Sequence, residues 1–198
     1  MSLSRIASLS VISFALLFSG IQSVRADAIF NFEADALNKA TPFTDTVNGL
    51  SAAFSGAASV CDSTGLFQSL SGKVLIENLC GPTTEGGPIT ISFSTGLTAI
   101  SFNFATAGGT ATLALSAFQG TTLVGTANFS STVPPGFFNG EGFATFSGTF
   151  DSVRLTPTSL LALDNINART SAVPEPASLA TVAAGIGLLA AFARKRKR

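Results

Sequence analysis

Apolar and small polar residues alternate with a period of two along the middle of the chain. Residues 29–33, 89–93 and 100–104 each place Ile or Phe at every second position, with polar residues between them. This alternation indicates half-buried strands that turn one face to a core. The pattern continues at residues 110–118, 121–129, 142–146, 151–156 and 160–166.

Glycine and proline separate these segments and predict short turns between them, at residues 86–88, 108–109, 119–120, 134–136, 140 and 148. Residues 38–62 are less regular, and Pro42 excludes a central strand there because proline lacks a ladder donor. Many short strands joined by turns predict an all-β fold, an antiparallel β-sandwich over residues 29–167, and a jelly-roll-like topology is favoured.

The N-terminal residues 1–28 have the three parts of a secretory signal peptide. A cation at Arg5 precedes an apolar core at residues 6–18, and Ala26-Asp27-Ala28 supplies a small-x-small cleavage site. We expect export through the Sec machinery and a mature chain that begins at Ile29. The alternative is an uncleaved anchor, although the apolar core is short for a membrane span.

The C-terminal residues 174–198 combine a proline-rich start, an apolar run and a basic end. Val173, Pro174, Glu175 and Pro176 follow a linker at residues 168–173, and the run from Ala177 to Ala193 is uncharged; it is followed by Arg194, Lys195, Arg196, Lys197 and Arg198. As a helix the run spans roughly 25 Å, just enough to cross a bilayer core. The cations keep that end in the cytoplasm, which places the body outside it.

This arrangement resembles the PEP-CTERM sorting signal of Gram-negative bacteria, residue by residue at Pro174, Glu175 and Pro176 and in the apolar helix and basic end that follow. The resemblance implies recognition by an exosortase, with cleavage near the motif. The protein would then hold a transient inner-membrane anchor before it reaches the cell surface or extracellular matrix. A plain C-terminal anchor is the alternative.

Charge and composition exclude several classes of function. Nine acidic and four basic residues between positions 29 and 172 give a net charge of about −5, so we expect no nucleic-acid partner. The chain has no histidine, which excludes Ser-His-Asp and Cys-His catalysis. Its 18 phenylalanines occur without any Trp or Tyr, so the usual aromatic platform for sugar stacking is missing.

The two cysteines, Cys61 and Cys80, both lie in the predicted exported body. An oxidising compartment favours a disulfide between them, worth about 3 kcal/mol through loop entropy. Two buried thiols or half of a metal site are the alternatives, and the second lacks the histidine that would complete a metal shell.

Most phenylalanines lie on the apolar phase of the strands and should form the core. Phe137 and Phe138 are the exception, because they occur in a proline- and glycine-rich loop at residues 134–140. We expect them to fold back over one end of the sandwich, and a contact site for a polymer or partner is the alternative.

Acidic residues allow one enzymatic hypothesis. A carboxylate pair hydrolyses glycosides as acid and base, and Glu33, Glu77, Glu85 and Glu141 are candidates by elimination only. No spacing marks a pair, so we expect solvated surface acids and no enzyme.

The body also resembles exported Phe-rich β-sandwich proteins that precede this sorting signal, in its early Phe-Glu strand, its 134–138 loop and Leu163-Asp164-Asn165-Ile166. That resemblance implies a sandwich akin to carbohydrate-binding modules. Such modules often hold a structural calcium ion between the first and last strands, which suggests a site at Glu33 and Asp164, completed by Asp35, Asn165 and backbone carbonyls. Separately solvated carboxylates are the alternative.

The sequence therefore predicts a non-enzymatic, exosortase-sorted surface or matrix protein associated with exopolysaccharide or biofilm. A carbohydrate-binding module is the first alternative, and an extracellular glycoside hydrolase is the second.

Overall fold

The alternating segments form ten β-strands in a computed structural model that describes residues 27–77, 80 and 87–171, and no helix occurs in these residues. The strands are β1 (Asp27–Phe30), β2 (Phe43–Val47), β3 (Leu50–Ser55), β4 (Ala58–Asp62), β5 (Lys73–Glu77), β6 (Ile89–Thr106), β7 (Thr112–Gln119), β8 (Thr122–Ser130), β9 (Gly140–Pro157) and β10 (Leu161–Thr170). Every named pair is antiparallel, which confirms the predicted all-β class.

Two long strands connect the layers of the sandwich. β6 and β9 have 18 residues each and pair with one another along most of their length. The first half of β6 and the second half of β9 lie between β3 and β7, with β2 and β8 at the margins. The second half of β6 pairs with β10, which continues to β5 and β4 and also to β1. The jelly-roll topology stays a prediction.

The prediction of separate strands at 89–93 and 100–104, and at 142–146 and 151–156, was wrong. Gly148 suggested a turn, but the β6–β9 ladder instead shifts its register between Ser92 and Ala99 and continues. Irregular pairing of this kind bends a strand without ending it, which allows it to pass from one layer to the other.

The core lies between the two layers and is rich in phenylalanine. Phe54 packs edge-on against Phe30 and Phe32, with ring centroids 6.1 and 5.4 Å apart. Fully buried side chains of both layers complete it, among them Ile91, Leu97, Ile100, Phe102, Phe104, Leu115, Phe150, Val153 and Leu163. Each such side chain contributes about 1.5–3 kcal/mol by leaving water, so this cluster dominates the stability of the body.

A disulfide joins Cys61 in β4 to Cys80, which follows β5, with Cα atoms 5.6 Å apart. The predicted pairing is confirmed. It links positions 19 residues apart in sequence, at the margin of the second layer. The bond therefore links the β4–β5 hairpin where residues 38–41 also contact β4 through backbone hydrogen bonds.

Several predicted features lie outside the described residues: most of the signal peptide, Glu85, and residues 173–198 with the predicted membrane helix. Within the described part of the chain, no helix is long and apolar enough to cross a membrane.

Candidate functional site

The outward side of β9, β6, β10 and β1 forms a sheet surface that we call the open face. Phe102 and Phe104 of β6 point into the core, so Ser101 and Asn103 point outward. Directly paired residues share a face, and the register therefore defines three rows. They are Phe143-Asn103-Asp164, Thr145-Ser101-Asn167-Ile29 and Ser147-Ala99-Arg169-Asp27.

Phe143 and Ile29 give this polar surface two exposed apolar contacts. Phe143 is 61% exposed and Ile29 is 50% exposed, at opposite margins of the rows. Between them lie Ser101 and Asn167, a hydroxyl and an amide that both donate and accept hydrogen bonds. The open face therefore combines an aromatic ring with neutral hydrogen-bonding groups.

The side-chain oxygen Oδ1 of Asn167 is buried and has no hydrogen-bond partner among the described residues. A buried acceptor without a protein partner is costly to the folded state. This acceptor lies in the middle row of the open face, beside Ser101.

A register shift in β10 places Asp164 and Asn167 on the same side of the sheet. Asn165 lies between them with a φ of 51°, and it donates through its N–H to Asp164 Oδ1 at 2.7 Å. Burial raises the pKa of Asp164 to about 6, and the nearby charge of Glu33 adds to the rise, while the N–H groups of Asn165 and Ser71 lower it.

The predicted calcium ligands are only partly brought together. β1 pairs with β10, and Glu33 lies close enough to Asp164 to influence its titration. The Asp35 carboxylate instead contacts Lys39 Nζ at 2.5 Å. No group of three or more His, Cys, Asp or Glu side chains that could hold a metal ion occurs in the described residues, so backbone oxygens would have to supply most of a shell. The calcium site stays a prediction.

A loop at residues 63–72 covers the other half of this sheet surface. Leu70 packs on Val74, Ala105 and Ala162 in a second apolar cluster. Glu141 fixes the loop, because its two carboxylate oxygens accept the N–H groups of Gln68 and Ser69 at 2.6 and 2.7 Å. Glu141 is therefore a buried structural acid, and the expectation of a solvated surface carboxylate was wrong here.

The proline- and glycine-rich loop does not fold back as a plug at Phe138, which is 89% exposed. Asn139 instead donates through Nδ2 to the Leu66 carbonyl at 3.3 Å, which joins this loop to the covering loop. The expectation was wrong because loop-to-loop hydrogen bonds, and not burial of this ring, position the segment.

Glu77 is the second acid whose predicted solvation was wrong, since it is 1% exposed. Its Oε2 accepts the Leu161 N–H at 3.0 Å, and Oε1 has no partner in the described residues. Burial raises the pKa of Glu77 to about 7, although the N–H groups of Leu161 and Gly87 offset part of that rise. The carboxyl lines a pocket of about 390 Å³, which also borders the disulfide.

Sequence analysis did not identify Phe143 as a surface residue, although the spacing of the strand contained the signal. Phe143 and Phe146 are three positions apart, so both cannot face the core of a period-two strand. Phe146 contacts the core phenylalanine Phe150, with centroids 5.3 Å apart, and Phe143 consequently points outward.

The predicted sorting residues, residues 173–176 and the run to 198, lie outside the described part of the chain, as does Ala26. Ala28 is described, and it belongs to β1, where it is buried opposite Ala168. Asp27 pairs with Arg169 and makes an ion pair with it at 3.5 Å.

Comparisons with solved structures find distant likenesses. The K2 cleaved adhesin domain of Lys-gingipain is 13% identical, with a TM-score of 0.45 over 72% of this chain and 99% of that chain. A family 29 carbohydrate-binding module from Piromyces equi is 11% identical, with a TM-score of 0.38 over 74% and 91%. A family 11 carbohydrate-binding module from Clostridium thermocellum is 10% identical, with a TM-score of 0.40 over 78% and 100%. Likenesses this distant transfer no function.

No curated protein matches the chain. A family model for the PEP-CTERM protein-sorting motif matches residues 172–197. The match confirms the resemblance found in the sequence, and it implies recognition by an exosortase and an exported protein with a C-terminal membrane-anchoring signal. The chain thus carries a PEP-CTERM protein-sorting motif after an all-β body.

Proposed function

We propose that the exported protein is a non-enzymatic component of the extracellular polysaccharide or biofilm matrix, and that its body binds a neutral polysaccharide across the open face. The Sec machinery delivers the body to the periplasm, and the tail holds it at the inner membrane until the exosortase acts. The body then stays at the cell surface or in the matrix.

The observation that carries this proposal is the exposed Phe143 ring on the same sheet surface as the Ser101 hydroxyl and the Asn167 amide. A sugar ring has an apolar face that packs on an aromatic side chain, and its hydroxyl groups form hydrogen bonds with neutral hydroxyl and amide side chains. Trp and Tyr are absent, so Phe143 supplies the apolar part of the contact without the hydrogen-bonding group that a Trp or Tyr side chain would add.

The shape and charge of the open face favour a chain over a single sugar and a neutral polymer over an acidic one. The surface is an exposed sheet and not an enclosed pocket, so contacts with several successive sugar units are needed for affinity. Its middle row is uncharged, and Asp27 neutralises Arg169 beside it. An acidic polymer would gain no unpaired cation there.

Affinity electrophoresis of the exported body in gels that contain a neutral glucan, alginate, or the exopolysaccharide of the producing cells tests the proposal. We expect retardation by neutral polymer, and a loss of affinity of about tenfold or more in Phe143→Ala. Phe138→Ala is the matched control, because it removes another exposed phenylalanine away from the strand face and should bind normally.

Equal mobility of the wild type in all polymers, or equal retardation of the two variants, would contradict binding at the open face. An assay for new reducing ends on the same polymers addresses the hydrolase alternative. Release of reducing ends that Glu77→Gln or Asp164→Asn abolishes would replace the non-enzymatic proposal with the enzymatic one.

A further inference from the structure

The strand β8 forms one margin of the first layer of the sandwich. It pairs with β7 over Thr112–Gln119, and its other side has no strand partner in the described residues. Nine residues long, it presents a row of backbone N–H and C=O groups over roughly 30 Å. A free margin of this kind is a template for pairing with another strand.

Natural proteins usually protect such margins with charged residues or proline, and β8 has neither. Other strands at the margins of the sheet do carry a charge: β1 contains Asp27, β2 contains Asp45 and β4 contains Asp62. The uncharged segment that contains β8 is much longer than the strand itself, because no charged residue occurs between Glu85 and Glu141. Leu123 and Val124, at the start of β8, are 53% and 43% exposed.

The structure also holds β8 in position for pairing. Its register with β7 shifts once, between Ala117 and Phe118, close to the turn, and the remaining pairs are regular. The Phe146 ring lies against Gly125, where an added Cβ would approach within 2.7 Å of it. Phe129 packs on the core. The strand is therefore a fixed surface and loses little conformational freedom on association.

We propose that β8 is a self-association edge, at which two copies of this chain pair β8 to β8 in antiparallel orientation. The body has a net charge of about −5, so two copies repel one another over most of their surface. The uncharged β8 hairpin is a region where they approach without that repulsion. Pairing of one strand with its own copy follows a two-fold axis, and the assembly closes as a dimer.

The dimer joins the first layers of two bodies into one continuous sheet. The open face belongs to the second layer and stays accessible in both copies. This inference does not depend on the proposed function, because it rests on β8 alone.

Sedimentation velocity of the exported protein over a range of concentrations tests the proposal. We expect the mass to double as concentration rises in the wild type, and to stay that of the monomer in a variant with Thr126→Lys and Asn128→Lys. Both side chains are exposed, so the substitutions leave the core intact. The matched control is Thr44→Lys with Thr46→Lys on the β2 margin, which should dimerise like the wild type.

Amide hydrogen exchange of the wild type provides a second measurement that needs no variant. Protection of alternate β8 amides should increase at least tenfold between dilute and concentrated samples, while the β2 margin stays unchanged. The proposal would be overturned if the wild type remained monomeric up to millimolar concentration, or if the lysine variant dimerised equally well. It would also be overturned if the exchange rates of the β8 amides did not change with concentration.

Discussion

Glu77→Gln should change how the stability of the body depends on pH. The ordinary pKa of the carboxyl is 4.5, and burial raises it to about 7 in the folded protein. The folded state therefore binds more protons than the unfolded state between these two values, and stability falls as the pH rises through that window. Above pH 7 the loss of stability caused by ionising the buried carboxyl is nearly complete.

The expected size of the effect follows from the shift. At about 1.4 kcal/mol per pKa unit, ionised Glu77 costs the folded state about 3 kcal/mol at pH 8, of which roughly 2 to 3 kcal/mol develops between pH 5 and pH 8. Glutamine keeps an acceptor for the Leu161 N–H and does not ionise. The variant should match the wild type near pH 5 and exceed its stability at pH 8.

Urea unfolding of the exported body at pH 5, 6, 7 and 8 measures this difference. Asp164→Asn is the matched control: it removes another buried carboxyl, whose pKa is about 6, so it should flatten the profile at lower pH and keep most of the decline towards pH 8. Parallel curves of unfolding free energy against pH for the wild type and Glu77→Gln would refute the assignment of a buried carboxyl with a raised pKa at this position.

Four further predictions concern export, covalent structure and metal. Alanines at residues 174–176 should leave export intact and trap a full-length species in the inner membrane, which cell fractionation detects; normal processing of that variant would contradict the sorting mechanism. Alanine at both Cys61 and Cys80 should lower the free energy of unfolding by about 3 kcal/mol, and an unchanged urea midpoint would show that the loop closure stabilises nothing. Calcium at 100 times its dissociation constant should add about 2.7 kcal/mol and raise the melting temperature by several degrees in the wild type but not in Asp164→Ala; identical melting with calcium and with chelator in the wild type would remove the calcium prediction. The mature start at Ile29 that the sequence predicts would remove Asp27 and Ala28, which are half of β1, so N-terminal sequencing of the exported protein should instead find Asp27 as the first residue; a start at Ile29 would show that β1 forms without its first two residues.

The sequence predicted the features that depend on local pattern or on short motifs. Alternation over 89–93 and 100–104 identified parts of β6, and two cysteines in an exported body identified the disulfide. The C-terminal motif was recognised because its Pro-Glu-Pro, apolar and basic parts follow one another within residues 174–198. None of these inferences required knowledge of which strands are neighbours.

The open face could not be predicted in the same way, because it depends on long-range register. Ser101 and Asn167 are 66 positions apart and meet only through the pairing of β6 with β10. The register shift around Asn165, with its positive φ, brings Asn167 to the same side as Asp164. A strict alternation rule places these two residues on opposite sides of the strand, so the site could not be predicted from the sequence alone.

The position of β10 has a mechanical consequence. This strand leads directly towards the sorting motif, and it hydrogen-bonds to β6 on one side and to β5 and β1 on the other. Tension on a body tethered through its C-terminal end would act along an interior strand, where bonds on both sides must shear together. A strand at the margin would open one bond at a time. A pull on the C-terminal end of the body is therefore opposed by more hydrogen bonds at once than a pull on a strand at the margin.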